Sequence, residues 1–410
     1  MPDRSIAVCI IDENLSVPRD PRVWREALSL TRAGYRVSVI CPTGRGSEGV
    51  RQTLDGVEIY RYPAYEASGR LDYVIEYGWA LLWQFILAIR VYAVTRFRVI
   101  HASNPPDNIF LIAWFFRLFG VRFIFDQHDP APELYAAKFG RKDFLYRLTR
   151  LAERFSYRAA DAVIVTSESC RELALTRGEV APDRVFLVRS CPDLEDFPLS
   201  EPRPELKRGR KHLVIYLGIM GSQDGVESLL QSIEYLLKER RRDDTLFVMI
   251  GPGPEQPRLK SLTASRGLEK DVIFTGGVYG AELLSYLCTA DVAVAPDPCN
   301  EFNDKLTMIK LLEYQACGIP TVLYDLVEGR RCASDAALFA RRDDAIHFGE
   351  QIANLLDSAP LRRQLGANGR KRIEGGLNWG VEQLTLLEAY KTALAGAAPA
   401  PQPEIENIAG

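Results

Sequence analysis

The sequence predicts an α/β protein with two doubly wound domains that face each other across a cleft. Short apolar runs alternate with amphipathic stretches up to about residue 194, and the alternation restarts at residue 212. Between them, 195–211 is rich in proline and charge and has no periodicity, which is typical of an interdomain linker. Strand–helix alternation indicates parallel sheets covered on both faces. A length of 410 residues agrees with two or three domains of about 150 residues.

The composition is that of an ordinary globular chain, with 47% hydrophobic and 26% charged residues. The 51 basic and 54 acidic residues nearly cancel, which argues against a nucleic-acid partner. The eight cysteines form no CxxC pair and the four histidines no i,i+4 pair, so we expect no metal site. We find no signal peptide and therefore expect reduced thiols and a cytoplasmic protein.

In the first half, Asp20 and Pro21 predict the start of a helix, as N-cap and first-turn proline, and Gly34 predicts its end. Apolar runs predict the buried strands, and amphipathic stretches predict the helices. The predicted strands are 5–11, 35–41, 98–102, 121–126, 161–166 and 184–188, and the predicted helices are 21–33, 72–95, 106–119 and 142–160.

The second half repeats the pattern. The predicted strands are 212–217, 246–250, 272–274, 292–295 and 321–323, and the predicted helices are 225–241, 255–266, 280–289, 304–317, a stretch from 343 onward and 379–394. We therefore predict an N-terminal domain at 1–196, a linker at 197–211 and a C-terminal domain at 212–380. The low-complexity tail, 396–410, is predicted to be disordered.

One candidate binding motif lies around a predicted helix that Asn303 or Asp304 caps and Gly318 ends. Lys305 falls in its first turn and Glu313 eight residues later, a rise of about 12 Å. A cation at a helix N-terminus is unfavourable unless an anion such as phosphate binds there. An ionised Glu313 accepts hydrogen bonds and suits two ribose hydroxyls. The alternative is a surface lysine and a surface glutamate on an ordinary helix.

A second motif is the glycine-containing turn YLGIMGSQDGVE at 216–227. Gly218, Gly221 and Gly225 lie between a predicted strand and a predicted helix, where glycine lets the backbone approach a pyrophosphate. The spacing is not GxGxxG, so a simple tight turn remains the alternative.

Further polar residues follow two strands of the first domain, at the edge where such sheets bind ligands. Asp126, His128 and Asp129 follow one strand, and His128 is a candidate to donate to, or exchange a proton with, a substrate hydroxyl. For Asp129 the alternative is helix capping. The loop 12–22, with Asn14, Arg19 and Arg22, follows the first strand. Its arginines are candidates to meet phosphate or acceptor, and the alternative is that this proline-rich turn only positions the helix.

Taken together, these segments resemble the bacterial, NDK-type branch of the GT4 family of retaining glycosyltransferases. The resemblance runs in order over nearly the whole chain and implies the GT-B fold, two Rossmann-like domains facing a central cleft. It also implies that 381–395 crosses back to the first domain. The matching segments are SVPRDPRVWREALSLTRAGYRVSVICP, VIHASNPPD, FDQHDPAPELY, YLGIMGSQDGVESLL, NDKLTMIKLLEYQACGIPTV and LNWGVEQLTLLEAY.

The resemblance assigns roles to particular residues. Glu313 matches the second acid of the family's E-x7-E motif, which takes the ribose hydroxyls, whereas Lys305 stands where the first acid is usual. The family's phosphate-binding arginine and lysine would fall on Ile219 and Asp224, so both charges are missing here. We expect Lys305, with Lys310 as a second candidate, to bind the diphosphate instead.

His128 matches the family's active-site histidine, a hydrogen-bond partner of the donor sugar, and the loop around Val278 matches the segment lining the nucleobase. We predict His128 and Lys305 as catalytic. The predicted donor-binding residues are Gly218, Gly221, Gln223, Asp224, Val278, Asn303, Lys305, Leu306, Thr307 and Glu313. The predicted acceptor-side residues are Asn14, Arg19, Asp126 and Asp129.

The reaction that the resemblance implies is transfer of a sugar from a nucleoside-diphosphate sugar to a hydroxyl of a glycan or lipid-linked glycan, with retained configuration. It belongs to polysaccharide or glycoconjugate biosynthesis. We expect no cofactor and no metal, since protein cations and helix N-termini neutralise the diphosphate. The alternatives are a catalytically inactive GT-B partner subunit and a nucleotide-sugar epimerase. The absence of GxGxxG after a strand argues against a Rossmann oxidoreductase.

The segments 73–97 and 109–119 are rich in aromatic and aliphatic residues, and the same half carries many arginines. This combination suits peripheral contact with an anionic membrane, here the inner face of the plasma membrane. The alternative is that both helices simply cover the sheet. Charged and polar interruptions make the first segment too short and too broken to span a bilayer.

Overall fold

A computed structural model describes residues 5–44, 49–65 and 72–395. The first half contains the strands β1 (Ala7–Ile11), β2 (Arg36–Pro42), β3 (Arg51–Leu54), β4 (Val57–Tyr62), β5 (Val99–Ser103), β6 (Arg122–Gln127), β7 (Ala162–Val165) and β8 (Val185–Leu187). Its helices are α1 (Pro21–Arg32), α2 (Asp72–Thr95), α3 (Phe110–Arg117), α4 (Ala131–Phe139), α5 (Phe144–Ala159) and α6 (Glu168–Thr176).

The second half contains the strands β9 (His212–Leu217), β10 (Thr245–Ile250), β11 (Val272–Gly276), β12 (Val292–Ala295), β13 (Thr321–Tyr324) and β14 (Ala337–Ala340). Its helices are α7 (Val226–Lys238), α8 (Gln256–Ser265), α9 (Gly280–Thr289), α10 (Ile309–Ala316), α11 (Val327–Ala333), α12 (Ala345–Asp357), α13 (Ala359–Glu374) and α14 (Trp379–Ala395).

These strands form two sheets. The first has the order β3-β4-β2-β1-β5-β6-β7-β8, and the second has the order β11-β10-β9-β12-β13-β14. Apart from the antiparallel pair β3–β4, the strand pairs of both sheets are parallel. The central strands are buried on both faces, which is why they appear in the sequence as continuous apolar runs. The predicted fold class, two doubly wound α/β domains, is confirmed.

Several elements differ from the sequence prediction. The hairpin β3–β4 was missed, although Asp55-Gly56, with φ of 48° and 83°, is the two-residue turn that such hairpins favour. The short elements β14, α4, α6 and α11 were also missed. Helix α3 begins at Phe110, four residues later than predicted. Helix α5 begins at Phe144, because the Asp143 side chain accepts from the Leu145 amide and caps it.

Helix α2 covers one face of the first sheet and contacts β1, β2 and β4. By length and composition alone, Val74–Thr95 is also long and apolar enough to cross a membrane, so the sequence expectation of a segment too broken to span is wrong by that criterion. Leu87 and Val91 are buried against the sheet, whereas Val74, Leu82 and Val94 are exposed. The helix therefore has a core face and a separate apolar outer face.

Helix α14 lies against the first sheet, with contacts to β6, β7 and β8. Trp379 is buried and its Nε1 donates to Ser29 Oγ at 2.9 Å. Tyr390, also buried, places its hydroxyl 2.8 Å from His101 Nδ1. The C-terminal helix thus completes the core of the N-terminal domain. The predicted disordered tail, 396–410, lies outside the described residues.

We expect Trp379→Ala to lower the free energy of unfolding by about 3–5 kcal/mol, because it removes a large buried side chain and leaves a cavity. Urea unfolding would measure this loss. Leu384→Ala on the same helix is the control, since Leu384 is 63% exposed and should change stability by less than about 0.5 kcal/mol. Equal effects of the two substitutions would contradict docking of α14 through Trp379.

Candidate active site

Polar residues lie where parallel strands of each sheet end. In the first sheet Asp12 follows β1, and Asp126 is near the end of β6. In the second, Gly218 follows β9 and Asp297 lies shortly after β12. In doubly wound folds this carboxyl edge is where ligands bind. The candidate site is therefore built from both edges.

A buried ion cluster organises the N-terminal side. The Asp126 carboxylate accepts from Arg22 Nη2 at 2.9 Å, and its Oδ2 lies 2.7 Å from His128 Nε2. Arg22 is in the first turn of α1, which begins where predicted because the Asp20 side chain caps the Arg22 and Val23 amides. Arg22 Nη1 also donates to the Val188 carbonyl at 2.9 Å. The first helix and the end of β6 are thereby held together.

The cluster determines the protonation of His128. Burial by itself would lower the pKa of His128, but the adjacent Asp126 carboxylate outweighs burial and raises that pKa to about 9. Against its own burial, Asp126 is held by Arg22 and His128 at a pKa well below its usual range. Near neutral pH this pKa favours the imidazolium form of His128, whose Nε2 faces Asp126 Oδ2 and also lies 3.0 Å from Arg22 Nε. Such a group donates hydrogen bonds and does not act as a base.

Three further residues support this cluster. Arg22 Nη2 lies 3.1 Å from the buried Glu26 carboxylate, one helical turn further along α1. His101, in the middle of β5, places Nε2 3.3 Å from Asp126 Oδ2, while its Nδ1 lies 2.8 Å from the Tyr390 hydroxyl. A continuous polar chain therefore runs from α14 to His128.

Glu26, Asp126 and His128 also bring potential metal-ligand atoms within 4.8 Å of one another. The Arg22 guanidinium, however, already lies on both carboxylates. The positive charge at this point is supplied by the protein itself, so the arrangement fits an internal ion cluster better than a metal site.

The C-terminal side is built on the predicted glycine turn between β9 and α7. A Cβ atom on Gly225, with φ of 70°, would lie 1.9 Å from the Pro296 carbonyl oxygen. A Cβ atom on Gly251 would likewise lie 2.0 Å from the Gly218 carbonyl oxygen. Backbones approach too closely here for any larger residue. Asp224 Oδ2 accepts from the Gly221 amide at 2.8 Å and so holds the turn.

Lys310 is the cation beside this turn. Its Nζ lies 2.9 Å from Asp297 Oδ1 and 4.9 Å from the centre of the Tyr216 ring. Burial would lower the pKa of Lys310, but Asp297 raises it, so the ammonium stays charged. A Cβ atom on Gly218 would lie only 3.5 Å from Lys310 Cε. Positive charge therefore stands beside the turn from which the family's usual arginine and lysine are missing.

The prediction that Lys305 lies in the first turn of a long helix is wrong. Residues 303–305 form a separate 3₁₀ turn, and α10 begins only at Ile309. The Asn300 side chain accepts from the Asn303 amide at 2.9 Å, so the polar residues close a local turn. Asp304 does not cap α10; it pairs with Arg342 at 2.6 Å, and its Oδ1 accepts from the Val327 amide, which opens α11, at 3.1 Å.

Lys305 is instead held by contacts around its own turn. Its Nζ donates to the Glu301 carbonyl at 3.2 Å, and its own carbonyl accepts from Ser167 Oγ at 2.6 Å across the interdomain boundary. The argument that Lys305 and Glu313 share one helix with a rise of about 12 Å is therefore also wrong.

Glu313 does lie on α10, as predicted. Burial raises its pKa to about 7, and the nearby cations Arg25 and Lys310 oppose that rise. Arg25 belongs to α1, the helix that carries Arg22, and its Nη1 donates to the Cys191 carbonyl at 2.7 Å. Helix α1 therefore carries one arginine in the His128 cluster and another that acts on the pKa of Glu313. It brings the cluster and the Glu313–Lys310 pair close together.

The remaining predicted donor-side residues are dispersed. Val278 is 8% exposed and packs in the core of the second domain, so the structure gives it a core role. Gln223 is exposed at the glycine turn. Asn303 is buried, with Nδ2 donating to the Pro298 carbonyl at 2.8 Å. Leu306 is extended, and Thr307 Oγ1 lies 3.7 Å from Cys332 Sγ.

On the acceptor side, Asn14 and Arg19 line one cavity of about 530 Å³ beside β1, together with Glu13, Glu76 and Trp79. Burial, reinforced by Glu76, raises the pKa of Glu13 to about 9, so its carboxyl group is a hydrogen-bond donor at neutral pH. Asp129 is separate from this cavity. Its amide donates to Asn104 Oδ1 at 3.1 Å.

Sequence reasoning missed much of the cluster around His128. Glu26, His101, Tyr390 and Asp297 were not singled out, and Arg22 was noted only with the loop that precedes α1. Two signals were present: Glu26 follows Arg22 at i+4, and His101 is a polar residue inside a predicted buried strand. The contact of Tyr390 with His101 joins residues 289 apart, and no local pattern predicts it.

Comparisons with known proteins agree with this architecture. Residues 20–191 match the glycosyl transferase 4-like domain, and residues 200–372 match glycosyl transferases group 1. The GPI3 subunit of phosphatidylinositol N-acetylglucosaminyltransferase from Saccharomyces cerevisiae is 21% identical over 313 residues. That alignment covers 73% of this chain and 65% of the yeast protein, so the chain spans less than two thirds of that relative.

Among solved structures, sucrose-phosphate synthase from Thermosynechococcus elongatus is similar with a TM-score of 0.78 and 18% identity, covering 96% of this chain and all of that one. HepE of Anabaena, solved with UDP and glucose, has a TM-score of 0.72 at 12% identity, covering 94% of this chain and 99% of that one. These two likenesses concern the fold. Together with the two domain matches, they show that the chain belongs to the GT4-type, group 1 glycosyltransferases, which have the GT-B fold.

Proposed function

We propose that the protein transfers a sugar from a nucleoside-diphosphate sugar to a hydroxyl of a glycan or lipid-linked glycan, with retained configuration. The observation that carries this proposal is the position of Lys310. Its ammonium lies beside the glycine turn, three residues before Glu313 on the same helix. Residues at this spacing share one face of a helix. A diphosphate and its ribose fit such a pair.

In this proposal the donor is held from both domains. Lys310 and the backbone amides that open α7 attract the diphosphate, since α7 has Gly225 at its N-cap and no side-chain cap. Glu313 accepts from the ribose hydroxyls. The His128 imidazolium donates a hydrogen bond to the sugar. HepE, which was solved with UDP and with UDP-glucose, makes UDP-sugars the first donors to test.

The proposed chemistry proceeds on one face of the sugar. The bond between the anomeric carbon and the diphosphate oxygen breaks as the acceptor oxygen bonds to the same carbon. The acceptor proton passes to the departing phosphate oxygen, and Lys310 stabilises the negative charge that develops there. Because His128 is protonated, it serves as hydrogen-bond donor and not as the base. Transfer on one face retains the anomeric configuration.

The alternative of an inactive partner subunit rests on the absence of the family's phosphate-binding arginine and lysine, whose positions are occupied here by Ile219 and Asp224. The position of Lys310 favours an active enzyme, because a cation is still present at the turn. We further propose that this cation and the helix amides replace a metal ion, so that transfer needs no cofactor.

The acceptor is proposed to bind in the cavity lined by Glu13, Asn14 and Arg19, whose polar groups suit a glycan. The exposed apolar face of α2 supports a lipid-linked acceptor and contact with a membrane surface. The corresponding location is the cytoplasmic face of the plasma membrane.

Lys310→Met should weaken binding of UDP, GDP or ADP by roughly 10- to 100-fold, since a hydrogen bond to a charged group contributes about 1.5–3 kcal/mol. Isothermal titration calorimetry would measure the affinities. Lys305→Met is the matched comparison and should change them less than threefold. A larger loss in the Lys305 variant would overturn the assignment of the diphosphate to Lys310.

The stability contribution of protonated His128 should depend on pH. Its folded-state pKa, about 9, lies above the reference value of 6.5, so this stabilisation is complete below pH 6.5 and is lost as the pH rises through 9. Between pH 6.5 and 9.5 the protein should lose about 1–3 kcal/mol relative to His128→Gln, which cannot titrate. Urea unfolding at both pH values tests this, and parallel losses in the two proteins would contradict it.

Removal of divalent cations should leave sugar transfer unchanged within about twofold, because Lys310 and backbone amides supply the positive charge. Initial rates would be measured with UDP-, GDP- and ADP-sugars before and after treatment with EDTA and a chelating resin. Addition of Mg²⁺ or Mn²⁺ to the treated enzyme is the control. A tenfold loss that either ion restores would show that the reaction requires a metal.

A further inference from the structure

An apolar cavity of about 310 Å³ lies between α2, α4 and α5, outside the site described above. Leu145, Leu148 and Ala152 of α5 line it at helical spacing i, i+3, i+7, and Val74 and Gly78 of α2 do so at i, i+4. Apolar stripes of this kind normally bury one another. Here they leave a space whose volume falls in the range of small-molecule sites, roughly 300–1,000 Å³.

The mouth of the cavity opens onto an apolar surface. Val74 and Leu148 line the cavity and are nevertheless 53% and 46% exposed. Phe144 and Leu151, on either side of Leu148 along α5, are 75% and 47% exposed. An occupant can thus enter from this surface.

The exposed side of α5 is cationic. Exposed arginines alternate with the exposed apolar residues of α5, whereas its one acidic residue, Glu153, is buried and pairs with Arg177. Exposed apolar side chains flanked by guanidinium groups complement the surface of an anionic lipid bilayer. These arginines are Arg147, Arg150, Arg154 and Arg158.

A hydrogen-bonded link connects the cavity to the candidate active site. Asp107, a buried residue of the cavity lining, has its Oδ1 accepting from Asn104 Nδ2 at 2.6 Å. The same Asn104 group donates to the Asp129 carbonyl at 2.7 Å, and Asp129 directly follows His128. On α2, Glu76 and Trp79 line the acceptor cavity, whereas Tyr77 and Gly78 line the apolar one. The same turns of α2 therefore line both cavities.

We propose that the apolar cavity binds a hydrocarbon chain of a membrane-anchored acceptor lipid, while the polar head of that lipid lies in the acceptor cavity. This inference rests on the proposed function for the identity of the lipid as acceptor. It adds a site for the chain itself, distinct from general adsorption of the apolar surface to a membrane. The protein would then select acceptors by their anchor as well as by their glycan.

Gly78→Phe tests the cavity directly. A Cβ atom at Gly78 meets no heavy atom within 4 Å, so the phenyl ring has room at the cavity wall. Helix propensity does not oppose the change, because glycine is the poorer helix former. Val94→Phe is the matched control, since it adds the same side chain at a 72% exposed position near the far end of α2. Ala152→Phe, on the opposite wall, is a second variant should Gly78→Phe fail to fold.

The probes are octyl, decyl and dodecyl phosphate below their micelle concentrations, measured by calorimetry. Each buried methylene should tighten binding about fourfold in the unaltered protein. Gly78→Phe should weaken binding of dodecyl phosphate at least tenfold, and Val94→Phe should leave it unchanged. Co-sedimentation with vesicles of phosphatidylglycerol and phosphatidylcholine should be the same for Gly78→Phe and the unaltered protein.

An affinity that does not depend on chain length would overturn the proposal, as would equal dodecyl phosphate binding by Gly78→Phe and the unaltered protein. Nucleoside-diphosphate binding is measured on the same proteins. Loss of alkyl phosphate binding with nucleotide binding intact would refute the chain site alone. Absence of nucleotide binding would refute the proposed function and would leave the result for the cavity standing.

Discussion

The buried pair of Arg22 and Asp126 is the interaction on which the N-terminal half of the site depends. Arg22 is 4% exposed and Asp126 is fully buried, so each charge needs its partner to offset the loss of hydration. The guanidinium also contacts Glu26 and the Val188 carbonyl, which distributes its donors over α1 and the segment after β8. Removing either charge would leave the other buried and unpaired, a state that costs several kcal/mol.

The same pair determines what His128 can do. A histidine near a buried carboxylate keeps its proton, and the proton restricts His128 to donating hydrogen bonds. The C-terminal half repeats this arrangement with Lys310 and Asp297, a buried cation held charged by one carboxylate. The chain as a whole has almost no net charge, yet His128 in the first domain and Lys310 in the second each keep a positive charge. Both charges face one cleft. An anionic leaving group is the chemistry that such a cleft stabilises.

The geometry also explains how distant parts of the chain contribute to one site. Helix α1 carries Arg22 and Arg25, which contact or influence groups from both domains. Helix α14 returns to the first sheet and places Tyr390 on His101, next to Asp126. The acceptor cavity and the apolar cavity share α2, whose outer face is left exposed. The proposed acceptor and anchor sites therefore adjoin one helix, whereas Lys310 of the proposed donor site lies far from both along the sequence.

Local sequence patterns predict the alternation of buried strands and amphipathic helices, the capped start of α1, the glycine turn and the position of His128 after β6. These features depend on local periodicity, on side-chain caps and on glycine conformation, all of which operate within a few residues. Long-range contacts, in contrast, establish which cation lies at the glycine turn. Lys305 is held in a 3₁₀ turn closed by Asn300, and Lys310 reaches the turn because Asp297 and Tyr216 hold it there. The partners of Lys310 come from the ends of other strands. The spacing of residues along the chain therefore does not predict these contacts.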